Sequence, residues 1–289
     1  MFKGCLVAIV TPFENNRLDE KRLKNLIEFQ IKHGTSGIVP CGTTGESATL
    51  SLEEHERVIE LTVAAAGKRV PVVAGTGSNN TAEAITLTRH AQKAGADAAL
   101  LISPYYNRPT QEGLYLHFKA IAEEVDIPLV LYNIASRTGV NIEADTVARL
   151  AQIKNIAAIK EASGNLIQMA RIRQLCGKIA LISGDDALLL PVLSIGGIGV
   201  ISVLANIVPE RVAEVIANFE AGEIAVARKG YLGLLPLVKA MFMETNPIPV
   251  KTAMGLLGLI KPELRLPLCP MQEQNRARLK KLLKEYKLL

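Results

Sequence analysis

Lys160 closes the apolar run Ile156-Ala157-Ala158-Ile159. By the two-residue period of a strand it shares a face with Ile156 and Ala158. If that face is the interior of a barrel, the amine meets small apolar side chains. Desolvation then disfavours the ammonium form and lowers the pKa from about 10.4. Free amine near neutral pH is what imine formation with a carbonyl requires. The plainer alternative is a strand-end lysine whose head reaches water along its apolar stem.

Tyr132 ends the preceding apolar run, 28 residues earlier. One βα unit back in a barrel is the adjacent strand, about 4.8 Å away. A phenol beside an amine can donate and accept a proton. With a pKa near 10 it needs a relay, and Thr43 and Tyr106, at two other strand ends, offer hydroxyls for one. Gly42-Thr43-Thr44-Gly45-Glu46-Ser47 reads as a strand-to-helix turn whose backbone N–H groups can converge on an anion such as a carboxylate. It is no P-loop, because no Gly-Lys-Ser/Thr follows. Arg137, in the loop Ser136-Arg137-Thr138-Gly139, can hold a carboxylate bidentately, or can be an ordinary surface arginine. Two tyrosines at strand ends stand out where aromatics total 4%. No metal is expected: His33, His55, His90 and His117 fall in helical segments and never pair as HxH or HExxH. No serine sits in a Gly-x-Ser-x-Gly elbow. Asp185 and Asp186 read as helix caps, with a cation site as the alternative.

These residues hang on a repeated unit: a short apolar run, a turn, an amphipathic helix. The runs are 5–10, 37–41, 70–75, 98–103, 128–133, 156–160, 179–183 and 199–204, recurring every 20 to 33 residues. They are continuously apolar rather than alternating, so both faces need cover. Eight such units predict an α/β fold, a (β/α)8 TIM barrel, with chemistry at the carboxyl ends of the strands. The expected helices include 22–32, 53–66, 82–94 after an N-cap at Thr81, and 111–125 after one at Thr110. From about residue 210 only helices follow, at 210–219, 223–243, 249–257 and 271–287. The expectation is therefore a catalytic barrel over 1–220 and a C-terminal helical segment over 221–289. An open doubly wound sheet is disfavoured, because Thr11-Pro12-Phe13-Glu14 after the first strand is no dinucleotide fingerprint.

The 289 residues are 49% hydrophobic and 21% charged, which excludes wholesale disorder. The net charge of +5 concentrates at the end, where Arg276, Arg278, Lys280, Lys281, Lys284 and Lys287 face only Glu273 and Glu285. Because Leu279, Leu282, Leu283 and Tyr286 recur at helical spacing, this is read as a solvated helix face and not as a nucleic-acid site. Residues 187–209 carry no charge and reach the length of a membrane span, but Pro191, Gly196 and Gly197 break the stretch. A helix, a turn and the buried strand Val200-Ile201-Ser202-Val203 are expected instead, with no membrane partner. Cys5, Cys41, Cys176 and Cys269 lack zinc spacing and read as reduced thiols. With no signal-peptide features at the start, a cytoplasmic location is expected, and the sequon Asn79-Asn80-Thr81 carries no weight.

The motifs Gly42-Thr43-Thr44-Gly45-Glu46, Tyr106, Tyr132-Asn133, Lys160-Glu161-Ala162-Ser163-Gly164-Asn165, Ser183-Gly184-Asp185-Asp186 and 197–203 resemble, in order and spacing, the pyruvate-dependent class I aldolase family that includes N-acetylneuraminate lyase and dihydrodipicolinate synthase. Ser136-Arg137-Thr138-Gly139 resembles the synthase branch, with Ala135 where that branch often has proline. The resemblance implies that Lys160 forms an imine with pyruvate. Tyr132 would move protons through Thr43 to Tyr106, the last reaching across from a neighbouring subunit. Thr44, Ile201 and Gly184 would bind pyruvate, and Arg137 would receive the carboxylate of aspartate semialdehyde. It implies no cofactor, and a homo-oligomer, expected as a tetramer built as a dimer of dimers. Ala48, His55, Asn79, Glu83 and Tyr105 match the lysine-inhibitor site of some members; Leu52 departs where sensitive members often carry histidine. Glu83 also reads simply as a first-turn carboxylate favoured by the helix dipole. The competing functions are a sibling aldolase acting on sialic acid or a 2-keto-3-deoxy sugar acid, and a non-catalytic ligand-sensing barrel. The second of these has no need for Thr43, Tyr106, Tyr132, Arg137 and Lys160 together.

Overall fold

The computed structural model describes residues 2–289. Eight parallel strands form its centre: β1 (Gly4–Ala8), β2 (Gly37–Val39), β3 (Val73–Gly75), β4 (Ala98–Ile102), β5 (Leu129–Asn133), β6 (Ile156–Glu161), β7 (Ala180–Ser183) and β8 (Gly199–Ser202). Each pairs with its sequence neighbours, and β8 returns to β1. Closure between β2 and β3 rests on the Ile38–Val72 bridge and on two hydrogen bonds, Ile38 N to Pro71 O (2.9 Å) and Gly75 N to Pro40 O (2.9 Å). The eight expected strands are all present, and the TIM barrel is the observed fold.

Alternation along each strand explains the continuous apolar runs. In β5, Val130 and Tyr132 point into the barrel, whereas Leu129 and Leu131 join the outer core beneath the helices. In β1, Leu6 and Ala8 point in while Cys5 and Val7 point out. One expectation about β6 fails. The pairing jumps from Leu129–Ile156 to Val130–Ala158, so a bulge at Ala157 puts Ile156 on the outer face. Lys160 therefore shares the inner face with Ala158 but not with Ile156. Its neighbours in register are Tyr132 of β5 and Ile182 of β7.

The barrel helices are α1 (Glu20–Lys32), α2 (Leu52–Ala66), α3 (Thr81–Ala94), α4 (Gln111–Glu123), α5 (Ala135–Thr138), α6 (Ala144–Leu150), α7 (Leu166–Leu175), α8 (Leu189–Ser194) and α9 (Pro209–Glu220). Ser51 and Glu54 close a capping box at the start of α2. The cap of α3 is Asn80, not Thr81: the Asn80 side chain accepts from Ala82 N, and Thr81 is already helical with its hydroxyl on His117. Thr110 caps α4 as expected. A two-stranded hairpin, Phe13–Glu14 with Arg17–Leu18, follows β1. Asn15 and Asn16, both at positive φ, form its turn, a tight geometry that asparagine tolerates.

After α9 come α10 (Ile224–Met241), α11 (Ile248–Leu256) and α12 (Glu273–Glu285). Leu237, Met241, Val250, Leu279 and Leu283 join the same apolar cluster as Ile27 of α1 and Val58 of α2. Each such side chain contributes about 1.5–3 kcal/mol by burial, so this segment shares the barrel's outer core. Leu279 and Leu283 are fully buried, which turns the cations of α12 outward. No helix among the described residues is long and apolar enough to cross a membrane. Residues 187–209 divide into α8, a turn with Gly196 at φ +89°, and β8.

Asn206 pins the join between β8 and β1. Its amide accepts from Val10 N (3.2 Å) and donates to Ala8 O (2.8 Å) and Val203 O (3.0 Å), entirely out of solvent. Asn206→Leu would remove the side-chain partner of the buried Val10 N and Ala8 O, at about 2–4 kcal/mol in total, while Val203 O keeps the backbone N–H of residue 206. The expected result is a lower urea midpoint with an unchanged denaturant slope; an unshifted midpoint would show that the backbone finds other partners.

Candidate active site

The carboxyl ends of β5 and β6 set the Lys160 amine above the Tyr132 ring, 4.1 Å from its centroid. Lys160 is 6% exposed. Desolvation lowers its pKa to about 7; the nearby Asp186 charge opposes that shift and the Arg137 charge adds to it. About half the amines are then neutral at pH 7, against about one in 2,500 for a lysine in water. Gly184, at the end of β7, makes room for the lysine stem. A Cβ there would meet Ala162 Cβ at 2.7 Å, Lys160 Cγ at 3.1 Å and Lys160 Cε at 3.2 Å.

Burial pushes the Tyr132 phenol up to about 12, with the Thr43 hydroxyl and the Arg137 charge acting in the opposite direction. Tyr132 is thus a protonated phenol with the Thr43 hydroxyl as a partner. Both line a cavity of about 500 Å³ that also takes in Arg137, Thr138 and Asn246. Thr44 is buried one residue further on and accepts a hydrogen bond from Asn246 Nδ2 (3.0 Å). Ile201 lies on the inner face beside Ala158 and Ile182, paired with Leu6 of β1. Tyr106 is not brought to this group within the chain. It stands on the surface, 91% exposed, at φ +71°.

The same cavity continues outward over Ala48, Leu52, His55, Ser78, Glu83 and Tyr105. Ser78 donates to the Glu83 carboxylate, and Asn79 Nδ2 donates to Tyr105 O (3.2 Å). Burial lowers the His55 pKa to about 4 and leaves its Nδ1 without a hydrogen-bond partner. Four of the five residues matched to an inhibitor site thus line one wall, with Asn79 directly behind Tyr105. Leu52 is half exposed at the rim.

Two buried carboxylates stand behind the reactive amine. Glu161, next in sequence to Lys160, accepts from Asn133 Nδ2 (3.0 Å), Ser163 N (2.7 Å) and Gln168 Nε2 (3.0 Å), which anchors the end of β6. Asp186 accepts from the Ser202 hydroxyl and from the backbone N–H groups of Val203 (2.9 Å) and Leu204 (3.2 Å). Burial raises its pKa against those bonds. Only Asp185 caps the turn that follows, accepting from Ala187 N (2.8 Å); the capping role expected of Asp186 gives way to this tie to β8. Sequence reasoning missed Asn246, which binds Thr44 through its side chain and Arg137 through its carbonyl oxygen (3.1 Å). Its oxygen Oδ1 has no partner. The available signal was only its place in the short polar run Glu244-Thr245-Asn246 between two helices. A phenol and a guanidinium line the cavity, and the half-neutral Lys160 amine lies over the phenol ring; such a set can form an imine with a keto acid and hold a second carboxylate.

The Dihydrodipicolinate synthetase family model matches residues 1–286. The chain is 59% identical over 290 residues to the 4-hydroxy-tetrahydrodipicolinate synthase of Syntrophus aciditrophicus, covering all of both chains. Among solved structures it is similar to dihydrodipicolinate synthase from Aquifex aeolicus, with a TM-score of 0.98 and 49% identity over 99% of both chains. The chloride-inhibited dihydrodipicolinate synthase from Acinetobacter baumannii, complexed with pyruvate, matches with a TM-score of 0.98 and 47% identity over the full length of both.

Because the ammonium of Lys160 must lose a proton before it attacks a carbonyl, capture of a keto acid by borohydride at Lys160 is expected to rise with pH through about 7. Mass spectrometry over pH 5–9 checks this, and a midpoint near the ordinary lysine value of about 10.4 would remove the burial argument.

Proposed function

The chain belongs to the dihydrodipicolinate synthetase family, and from that membership we propose that it condenses pyruvate with L-aspartate 4-semialdehyde to 4-hydroxy-tetrahydrodipicolinate, the first committed step of lysine biosynthesis through diaminopimelate. The observation that carries the reading is the buried Lys160 amine over the ring of Tyr132, which with Arg137 lines the cavity. It is a lyase of the class I aldolase type and uses no cofactor in this scheme.

The Lys160 amine attacks the keto carbon of pyruvate, and the resulting carbinolamine loses water to give a protonated imine. Tyr132 supplies and recovers the protons of that step, with Thr43 as its partner. The cationic imine acidifies the pyruvate methyl group, and the enamine that follows attacks the aldehyde carbon of the semialdehyde. The amine of the semialdehyde then displaces Lys160 from the imine carbon, which closes the ring and frees the enzyme. Arg137 holds the semialdehyde carboxylate, and Thr44, Ile201 and Gly184 seat the pyruvate end. The exposure of Tyr106 supports its use by a neighbouring subunit, in a tetramer built as a dimer of dimers. The outer wall with Glu83 and His55 takes free lysine, whose ammonium the Glu83 carboxylate would bind. Three of the four unpaired thiols are buried, in keeping with a reducing cytoplasm.

Supplied with pyruvate and either aspartate semialdehyde or N-acetylmannosamine, the enzyme is expected to consume pyruvate with the first; preference for the second would make it a sialic-acid aldolase. Arg137→Ala should keep borohydride capture of pyruvate on Lys160 yet lose about 10- to 100-fold in kcat/KM for the semialdehyde, the size of a charge-assisted bidentate contact. Unchanged kinetics would take the carboxylate role from Arg137. Millimolar lysine is expected to slow the reaction, and an unaffected rate would dismiss the inhibitor site.

A further inference from the structure

The turn that carries Thr43 and Thr44 is held in an unfavourable conformation. Cys41 and Glu46, the residues that flank Gly42-Thr43-Thr44-Gly45, both lie in the left-handed region, at φ +54° and +53°. Neither is glycine, so each costs on the order of 1 kcal/mol or more and persists only where the surroundings over-determine it. At Glu46 the source of that constraint is visible. Lys251 of α11 is completely buried, and its ammonium donates to the Glu46 carboxylate and to Thr11 O (2.9 Å). The second Glu46 oxygen accepts from Arg265 N (3.2 Å). The Thr11 hydroxyl donates to Gly45 O (2.7 Å), so Lys251 binds two residues that each grip the turn. The Lys251 ammonium and the Arg265 guanidinium both lie against the Phe13 ring, at 4.4 Å and 4.1 Å.

A buried ion pair is a poor device for stability alone. Its desolvation cost is often as large as its attraction, and apolar residues of similar volume commonly serve as well or better. What it supplies is direction, because a carboxylate with two fixed donors cannot rotate freely. From Glu46 the chain runs back through Gly45 and Thr44 to the Thr43 hydroxyl beside the Tyr132 phenol.

We propose that Lys251 is a positioning residue for the reaction: through Glu46 it holds the Thr43-Thr44 turn in the conformation that places the Thr43 hydroxyl against Tyr132. The C-terminal helical segment thereby takes part in proton transfer at the far side of the cavity without touching substrate. This rests on the reading of Tyr132 and Thr43 given above.

The experiment compares wild type with Glu46→Asp, Lys251→Arg and the double variant Lys251→Met/Glu46→Leu. Glu46→Asp and Lys251→Arg keep the charges but change the reach; the double variant removes both charges and keeps the bulk. For each, the melting temperature, the kcat per folded molecule and the initial rate of borohydride capture of pyruvate on Lys160 are measured. In the folded variants, kcat and the capture rate are expected to fall together by about tenfold, as for a reacting group displaced by a fraction of an ångström, whatever happens to the melting temperature. A merely structural pair would move the melting temperature and leave both rates per folded molecule at wild type. Wild-type rates in the folded variants, or loss of fold in all three, would overturn the proposal. A wild-type enzyme that fails to turn over pyruvate with the semialdehyde would instead overturn the reaction on which it rests.

Discussion

Removal of one amine from water is the constraint around which this molecule is organised. An ammonium in bulk solvent is almost never free to attack a carbonyl at neutral pH. The barrel interior changes that by surrounding Lys160 with Ala158, Ile182 and the face of Tyr132, none of which solvates a charge as water does. Too complete a burial would hold the amine neutral and leave the cationic imine unsupported. Asp186 balances the site, because its charge favours the protonated amine while burial disfavours it.

That balance also needs the carboxylates behind the amine to be satisfied. Glu161 and Asp186 are buried carboxylates, and each accepts several hydrogen bonds from neighbouring strand ends and helix starts. Their bonds fix the ends of β6 and β8, the two strands that bring Lys160 and Ile201 to the barrel mouth. A half-satisfied carboxylate in this position would be costly, and each of these two has several donors. Gly184 works by subtraction, since its missing side chain is the volume in which the lysine stem lies.

The helices after α9 are more than an appendix to the barrel. Asn246 bonds Thr44 on one side and Arg137 on the other, and Lys251 reaches the base of the Thr43-Thr44 turn. Residues two hundred positions apart in the chain therefore meet around one cavity. The apolar packing of α10 against α8 and α9, and of α11 against α10 and α12, is what holds them there.

The eight strands, the order of the helices and the candidate amine were legible in the sequence, because burial on both faces writes continuous apolar runs and helices write a 3.6-residue stripe. Lys160, Tyr132 and Arg137 were legible because strand ends in a barrel face one mouth. Other features depended on atoms far apart in the chain. The bulge at Ala157 that turns Ile156 outward is a matter of pairing with β5, not of local composition. The cap falls at Asn80 rather than Thr81, and the Thr81 hydroxyl instead meets His117 of the neighbouring helix, a contact local sequence does not show. Lys251 looks like an ordinary helical polar residue, and Asn246 like an ordinary connection residue, until the fold seats them beside Glu46 and Thr44. Local pattern determines which residues are buried and on which element; which buried polar groups become partners is decided only when packing brings distant segments within hydrogen-bond reach.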